Sequence, residues 1–153
     1  MEATENVSPL VFWRKELREG SGGAGKTRGG IGQVMEVGTK GELEYAVNAT
    51  FDRIANAPNG RDGGGDGAPG AVRLKSGRVL RPKGFQVIPD NDRLILELPG
   101  GGGMGEPATR DPALVARDVR DGLVSPDDAQ SLYKVATTAD GTLDTVATAK
   151  LRN

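Results

Sequence analysis

Residues 20–27 read G-S-G-G-A-G-K-T, which satisfies the phosphate-loop pattern G-x-x-x-x-G-K-[ST]. In such a loop, backbone N–H groups and a helix N-terminus converge on phosphates, the lysine bridges the outer phosphates, and the hydroxyl holds magnesium. Lys26 and Thr27 are the residues of those two types. The chemistry depends on the helix that follows. Gly29, Gly30 and Gly32 stand where its first turns would form, and each glycine costs about 1 kcal/mol against alanine in a helix interior. The next residues, Q-V-M-E-V, are β-prone. No later apolar strand ends in an aspartate that could hold magnesium. The stretch is therefore expected to be a glycine-rich connection between two strands. Its glycines would serve positive φ or close backbone approach.

The other candidates are thinner. D-G-G-G-D-G at residues 62–67 has the composition of a calcium loop, but it lacks the twelve-residue ligand spacing and the closing glutamate. Asp118, Asp121, Asp127 and Asp128 look like a carboxylate cluster. Capping and dipole complementarity at helix ends would account for them. Arg53 and Arg61 flank a Gly/Pro-rich loop. With Lys26 and Arg28 they are the candidates for binding an anion or contacting a subunit. Ser21 and Thr27 offer hydroxyls without an evident base. The chain has no histidine and no cysteine, which removes the commonest general base and zinc ligand, thiolate chemistry and disulfides. No complete catalytic constellation and no metal site can be assembled from these residues.

Elements must hold these loops. Residues 9–17, P-L-V-F-W-R-K-E-L, suit a strand entering a covered sheet. The clearest strand is residues 43–53, where Leu43, Tyr45, Val47, Ala49 and Phe51 alternate with Glu44, Ala46, Asn48, Thr50 and Asp52. Residues 55–70 form a long loop dense in Gly, Pro, Asn and Asp. Residues 71–84 read as a hairpin turning at Ser76-Gly77, and F-Q-V-I-P and R-L-I-L-E-L-P-G give two more strands. After residues 100–107 the character changes. Asp111, Pro112 and Gly122 punctuate one helix, and Ser125, Pro126 and Asp128 open a second. The last residues read as loop with a short, frayed helix.

The expected fold is thus mainly antiparallel β with Gly-rich loops and two short C-terminal helices, α+β overall. The expected organisation is a β-rich domain over 1–104, a helical appendage over 105–135 and a weakly structured tail over 136–153. Glycine supplies 24 of 153 residues and aromatics only 4%, so the apolar core should be thin. Twenty basic against 21 acidic residues give no electrostatic case for nucleic acid or an anionic membrane. No apolar run approaches a membrane span, and the acidic, polar start is unlike a signal peptide, so a cytoplasmic location is the expectation.

Three stretches in order, residues 21–34, 96–107 and 110–135, resemble the C-terminal end of the hydantoinase B/5-oxoprolinase family. Residues 9–17 and 51–70 fit the same order, and the resemblance covers about residues 8–135. Two positions depart from the usual pattern. Thr27 stands where a bulky or aromatic residue is common, and Met104 where tyrosine is common. The resemblance implies an ATP-dependent opening of a cyclic amide such as hydantoin or 5-oxoproline. It implies two partners: a hydantoinase A-type subunit, which binds ATP, and the N-terminal part of hydantoinase B. ATP with magnesium, and a divalent metal, are implied elsewhere in that parent complex. The chain itself is expected to be a C-terminal piece, inactive in isolation, contributing structure and subunit contacts. Its glycines Gly22, Gly23, Gly25, Gly29, Gly30 and Gly32, and Gly100, Gly101, Gly102 and Gly103, would form the family's loops. A non-catalytic assembly domain of a related ATP-dependent ketone carboxylase is the second reading, and a nucleotide-binding protein the third.

Overall fold

The computed structural model of the chain describes residues 2–41 and 43–153. After α1 (Glu2–Val7) come six strands: β1 (Leu10–Leu17), β2 (Gln33–Thr39), β3 (Tyr45–Thr50), β4 (Ala71–Leu74), β5 (Lys83–Ile88) and β6 (Leu94–Glu97). A single 3₁₀ turn, Pro107–Thr109, leads to α2 (Pro112–Arg120), α3 (Pro126–Ser131) and α4 (Thr145–Arg152). One antiparallel sheet has the order β1-β2-β6-β4, and β3 and β5 form a separate antiparallel ribbon.

The period-two pattern read from the sequence is what packs ribbon on sheet. Val72, Leu74, Leu94 and Leu96 of the sheet meet Ile88 of the ribbon in one apolar cluster, with Met35, Tyr45 and Val47 packed against it. In β3 alternate residues face outward, whereas the central strand β6 is buried on both faces. The expected hairpin at residues 71–84 turns at Ser76-Gly77, where Gly77 takes φ 98°. Its return arm is only a short bonded stretch, Leu80 N–H donating to Val72 at 2.9 Å.

Residues 9–17 do form a strand, but not one in a covered sheet. β1 lies at the sheet edge, and Trp13 and Leu17 are more than half exposed. The register slips between Phe12 and Arg14, a bulge of the kind that edge strands carry. The Arg93 guanidinium covers part of Trp13, sitting 3.9 Å from its ring centroid.

The caps read from the sequence are in place. Asp111 accepts from Ala113 N–H and Ser125 from Asp128 N–H, while Gly122 takes φ 67° at the end of α2. Beyond the two punctuated helices, the short helix read at the end of the chain is also present. Residues 136–153, expected to be weakly structured, carry α4, capped by Asp144. Thr148 of α4 accepts from Ala136 N–H at 3.0 Å. Arg152 reaches the carbonyls of Tyr133, Lys134 and Arg110. The helices enclose a second cluster of Val115, Val119, Val124, Ala129, Tyr133 and Val135, against which Ala24 and Leu143 pack.

Candidate functional site

Between the two cores lies a layer made of three glycine-rich segments, residues 20–32, 58–70 and 99–105. No helix follows the phosphate-loop match; residues 28–32 are irregular and β2 begins at Gln33. Several of the loop's N–H groups are directed into the protein instead: Gly20 N–H donates to Leu123 at 3.1 Å, Lys26 N–H to Gly105 at 3.1 Å and Thr27 N–H to Met104 at 2.9 Å. Gly23 N–H donates to Gly101 at 2.8 Å, Gly101 N–H to Gly30 at 2.8 Å, Gly65 N–H to Ala24 at 2.7 Å and Gly103 N–H to Gly65 at 2.9 Å. Groups spent on these bonds are not aimed at a phosphate.

The sequence left two reasons for the glycines open, and the structure selects one. None of the ten predicted loop glycines has positive φ. An added Cβ would sit 2.6 Å or less from backbone at Gly22, Gly23, Gly25, Gly29 and Gly32. It would do the same at Gly100, Gly102 and Gly103, the extreme being 1.7 Å from Ser21 O at Gly100. Gly101 is less tight, at 3.0 Å from Gly30 N, and Gly30 faces open space. The layer therefore exists because the chains touch backbone to backbone.

The four basic candidates separate. Arg28 is taken up by an ion cluster: its Nε lies 3.0 Å from Asp118 Oδ2 and its Nη2 3.3 Å from Oδ1. Arg110 Nη2 donates to the same Oδ2 at 2.9 Å. Asp118 does stand near a helix end, in the last turn of α2, but a carboxylate there opposes the helix dipole, and the side chain is buried and held by the two arginines instead. The pair fastens the glycine layer to the helices. Lys26 and Arg61 are exposed and flank one point, since Lys26 N–H donates to Gly105 and Gly105 N–H to Arg61. Among the described residues neither side chain makes an ion pair. Arg53 is also exposed, at φ 59°, and its carbonyl accepts from Gly70 N–H at 2.9 Å. Thr27 and Met104, the two departures from the family pattern, pair with each other through reciprocal 2.9 Å backbone bonds.

A cleft of about 510 Å³ opens where the layer meets α3, lined by Gly22, Gly23, Gly64, Asp66, Glu106, Asp128, Tyr133 and Lys134. Its charged groups are three carboxylates and one ammonium, and Ser131 supplies a hydroxyl with no histidine beside it. Burial pushes the Tyr133 phenol up from its ordinary value, against the opposing influence of Arg110 and Arg28. Among the described residues the buried Tyr133 hydroxyl has no partner of good hydrogen-bond geometry, although the Gly25 backbone lies close enough to act on the phenol. Among the described residues no three His, Cys, Asp or Glu side chains stand together to hold a metal ion. Asp62 and Asp66 follow this rule: Asp66 Oδ1 accepts from Gly60 N–H at 2.7 Å as a turn residue. Among the described residues no helix follows Lys26 and Thr27 and no acidic cluster stands beside them, so this donor set does not fit a magnesium nucleotide. The arrangement can supply a rigid backbone shelf, exposed cations and a polar cleft.

A family model described as hydantoinase B/oxoprolinase matches residues 1–107. The chain belongs to the hydantoinase B/oxoprolinase family. This hydantoinase B-type chain is 34% identical over 163 residues to caprolactamase subunit beta from Pseudomonas jessenii, which takes in 97% of the chain and 27% of that subunit. The crystal structure of the ATP-dependent caprolactamase from the same organism superposes on 99% of the chain, with a TM-score of 0.79 and 29% identity, again over 27% of the other chain. The 5-oxoprolinase of Saccharomyces cerevisiae is 36% identical over 112 residues, 69% of this chain and 8% of its own. A nucleotide-free acetone carboxylase shares the fold, with a TM-score of 0.66 and 23% identity. The chain thus spans about a quarter or less of the length of these relatives.

Proposed function

We propose that this chain serves a hydantoinase B-type subunit that opens a cyclic amide C–N bond in an ATP-dependent complex. The observation that carries the reading is the caprolactamase match, which runs through sandwich, glycine layer and helices alike. The acetone carboxylase likeness rests on fold alone, so the carboxylase reading has less support. The substrate class is a lactam, hydantoin or 5-oxoproline. Partners are a hydantoinase A-type subunit and the remaining part of the B-type subunit, with ATP, magnesium and a divalent metal bound there. The cytoplasm is the compartment the reading assumes; among the described residues no helix is long and apolar enough to cross a membrane. Within the complex this chain supplies a rigid shelf, and Lys26 and Arg61 beside Gly105 face an anion or a subunit.

The test reconstitutes the parent B-type subunit with an A-type partner and supplies Mg-ATP. Ring-opened product and ADP should appear together from a cyclic amide, and not from acetone with bicarbonate. Carboxylation of the ketone without lactam hydrolysis would replace this reading with the second one.

A further inference from the structure

We propose that the outer face of the β3–β5 ribbon is a protein-docking surface for an apolar patch rimmed by carboxylates on the partner subunit. The register places Asn48 opposite Phe85 and Ala46 opposite Val87 on the side away from the core. Phe85 is 65% exposed, Val87 40% and Val79, beside them, 80%. These are large apolar groups gathered on one side, whereas singly scattered exposed residues need no explanation. Together with Arg78 and Arg81 they line a groove of about 400 Å³. Aromatic and arginine side chains are the types that dominate binding at interface centres.

The charge pattern states what fits. Between Lys75 and Asp90 the chain carries Arg78, Arg81 and Lys83 and no carboxylate. Lys83 is paired with Asp52; among the described residues, Arg78 and Arg81 have no ion pair. The face is also held in shape before binding. Gln86 accepts from Arg81 N–H at 2.9 Å and donates back to its carbonyl at 2.7 Å, and Arg81 Nη2 donates to Phe85 O at 3.3 Å. A surface fixed in advance loses less freedom on association. A second copy is a poor occupant, because a two-fold contact would set these cations against their own kind. An anionic membrane is a poor one too, because three basic groups fall short of the clusters of about four to eight that hold a protein on lipid.

The proposal rests on the reading that a partner subunit exists, and its test separates the two. Hydroxyl-radical footprinting would compare Phe85 in the parent B-type subunit alone with Phe85 in the reconstituted, lactam-hydrolysing complex; protection already present in the subunit alone would assign the face to the rest of that chain and overturn the proposal. Phe85 should be protected in the complex. Arg81→Glu and Phe85→Ser, introduced into the parent subunit, should each weaken partner binding by about tenfold or more. Their melting temperatures should stay near wild type, and Lys40→Glu, outside the patch, should bind normally. An active complex with Phe85 still reactive overturns the docking surface alone. Absence of both complex and lactam hydrolysis overturns the reading and the surface with it. Concentration-dependent dimers lost in Arg81→Glu, or binding to phosphatidylserine vesicles, would assign the face to another occupant and overturn the proposal.

Discussion

Asp118→Asn keeps the shape of the side chain but leaves the Arg28 and Arg110 guanidinium groups without their shared counter-charge. Both arginine side chains are nearly buried, at 15% and 12% exposure. Breaking a buried pair from one side costs about 3–5 kcal/mol, so urea unfolding should show a loss of that order; an unchanged midpoint would mean the cluster is dispensable. Gly100→Ala should prevent the layer from closing, whereas Gly30→Ala, which meets nothing within 4 Å, should fold with a near-normal melting temperature. Glu36 adds a pH dependence. Hydrogen bonds from Arg93 and Lys75 hold its carboxyl below the ordinary range despite burial, the Arg93 bond being the stronger influence. The unfolded chain therefore binds this proton more readily, and stability should fall as pH drops below about 4.3. Glu36→Gln should flatten that acid limb. Lys26→Ala should leave the heat of titration with Mg-ATP unchanged, since no helix follows the loop to aim its amides at phosphate. At this scale the sequence made the glycines legible as a group but not their reason. Backbone-to-backbone approach joins segments far apart in the chain, and no local pattern encodes it. The partnership of Arg28 with Asp118 was hidden for the same cause, ninety residues separating them.

The elements divide by how local their determinants are. β3 was readable because alternation is a property of six neighbouring residues, and its buried side is the one the pattern names. α2 and α3 were readable because Asp111, Ser125 and the following prolines act within one turn. α4 was legible only as a short, frayed helix, because T-V-A-T-A-K-L-R has no strong apolar stripe and is held by Arg152 and Thr148 reaching other segments. Asp144→Ala should cost about 1 kcal/mol through loss of its cap. Hydrogen exchange should show that loss as faster labelling over residues 145–152, with β2 and β6 unaffected; equal labelling would mean that side-chain anchoring alone holds the helix. β1 was readable as a strand but not as an edge. Edge or centre depends on which strand pairs where, and that is decided by the whole sheet.

At the scale of the molecule, two small apolar cores are joined by a layer that contributes almost no side chains. Such a layer is intolerant of substitution, yet it offers a stiff backbone surface on which loops such as Lys26 and Arg61 keep fixed positions. The most direct measurement is ATP-coupled hydrolysis of a cyclic amide by the A-type and B-type subunits, with these 153 residues present, deleted, or present alone. The account predicts matched release of ADP and ring-opened product only from the complete assembly, and none from the 153-residue chain alone. Undiminished turnover after the deletion, or turnover by the chain alone, would contradict it.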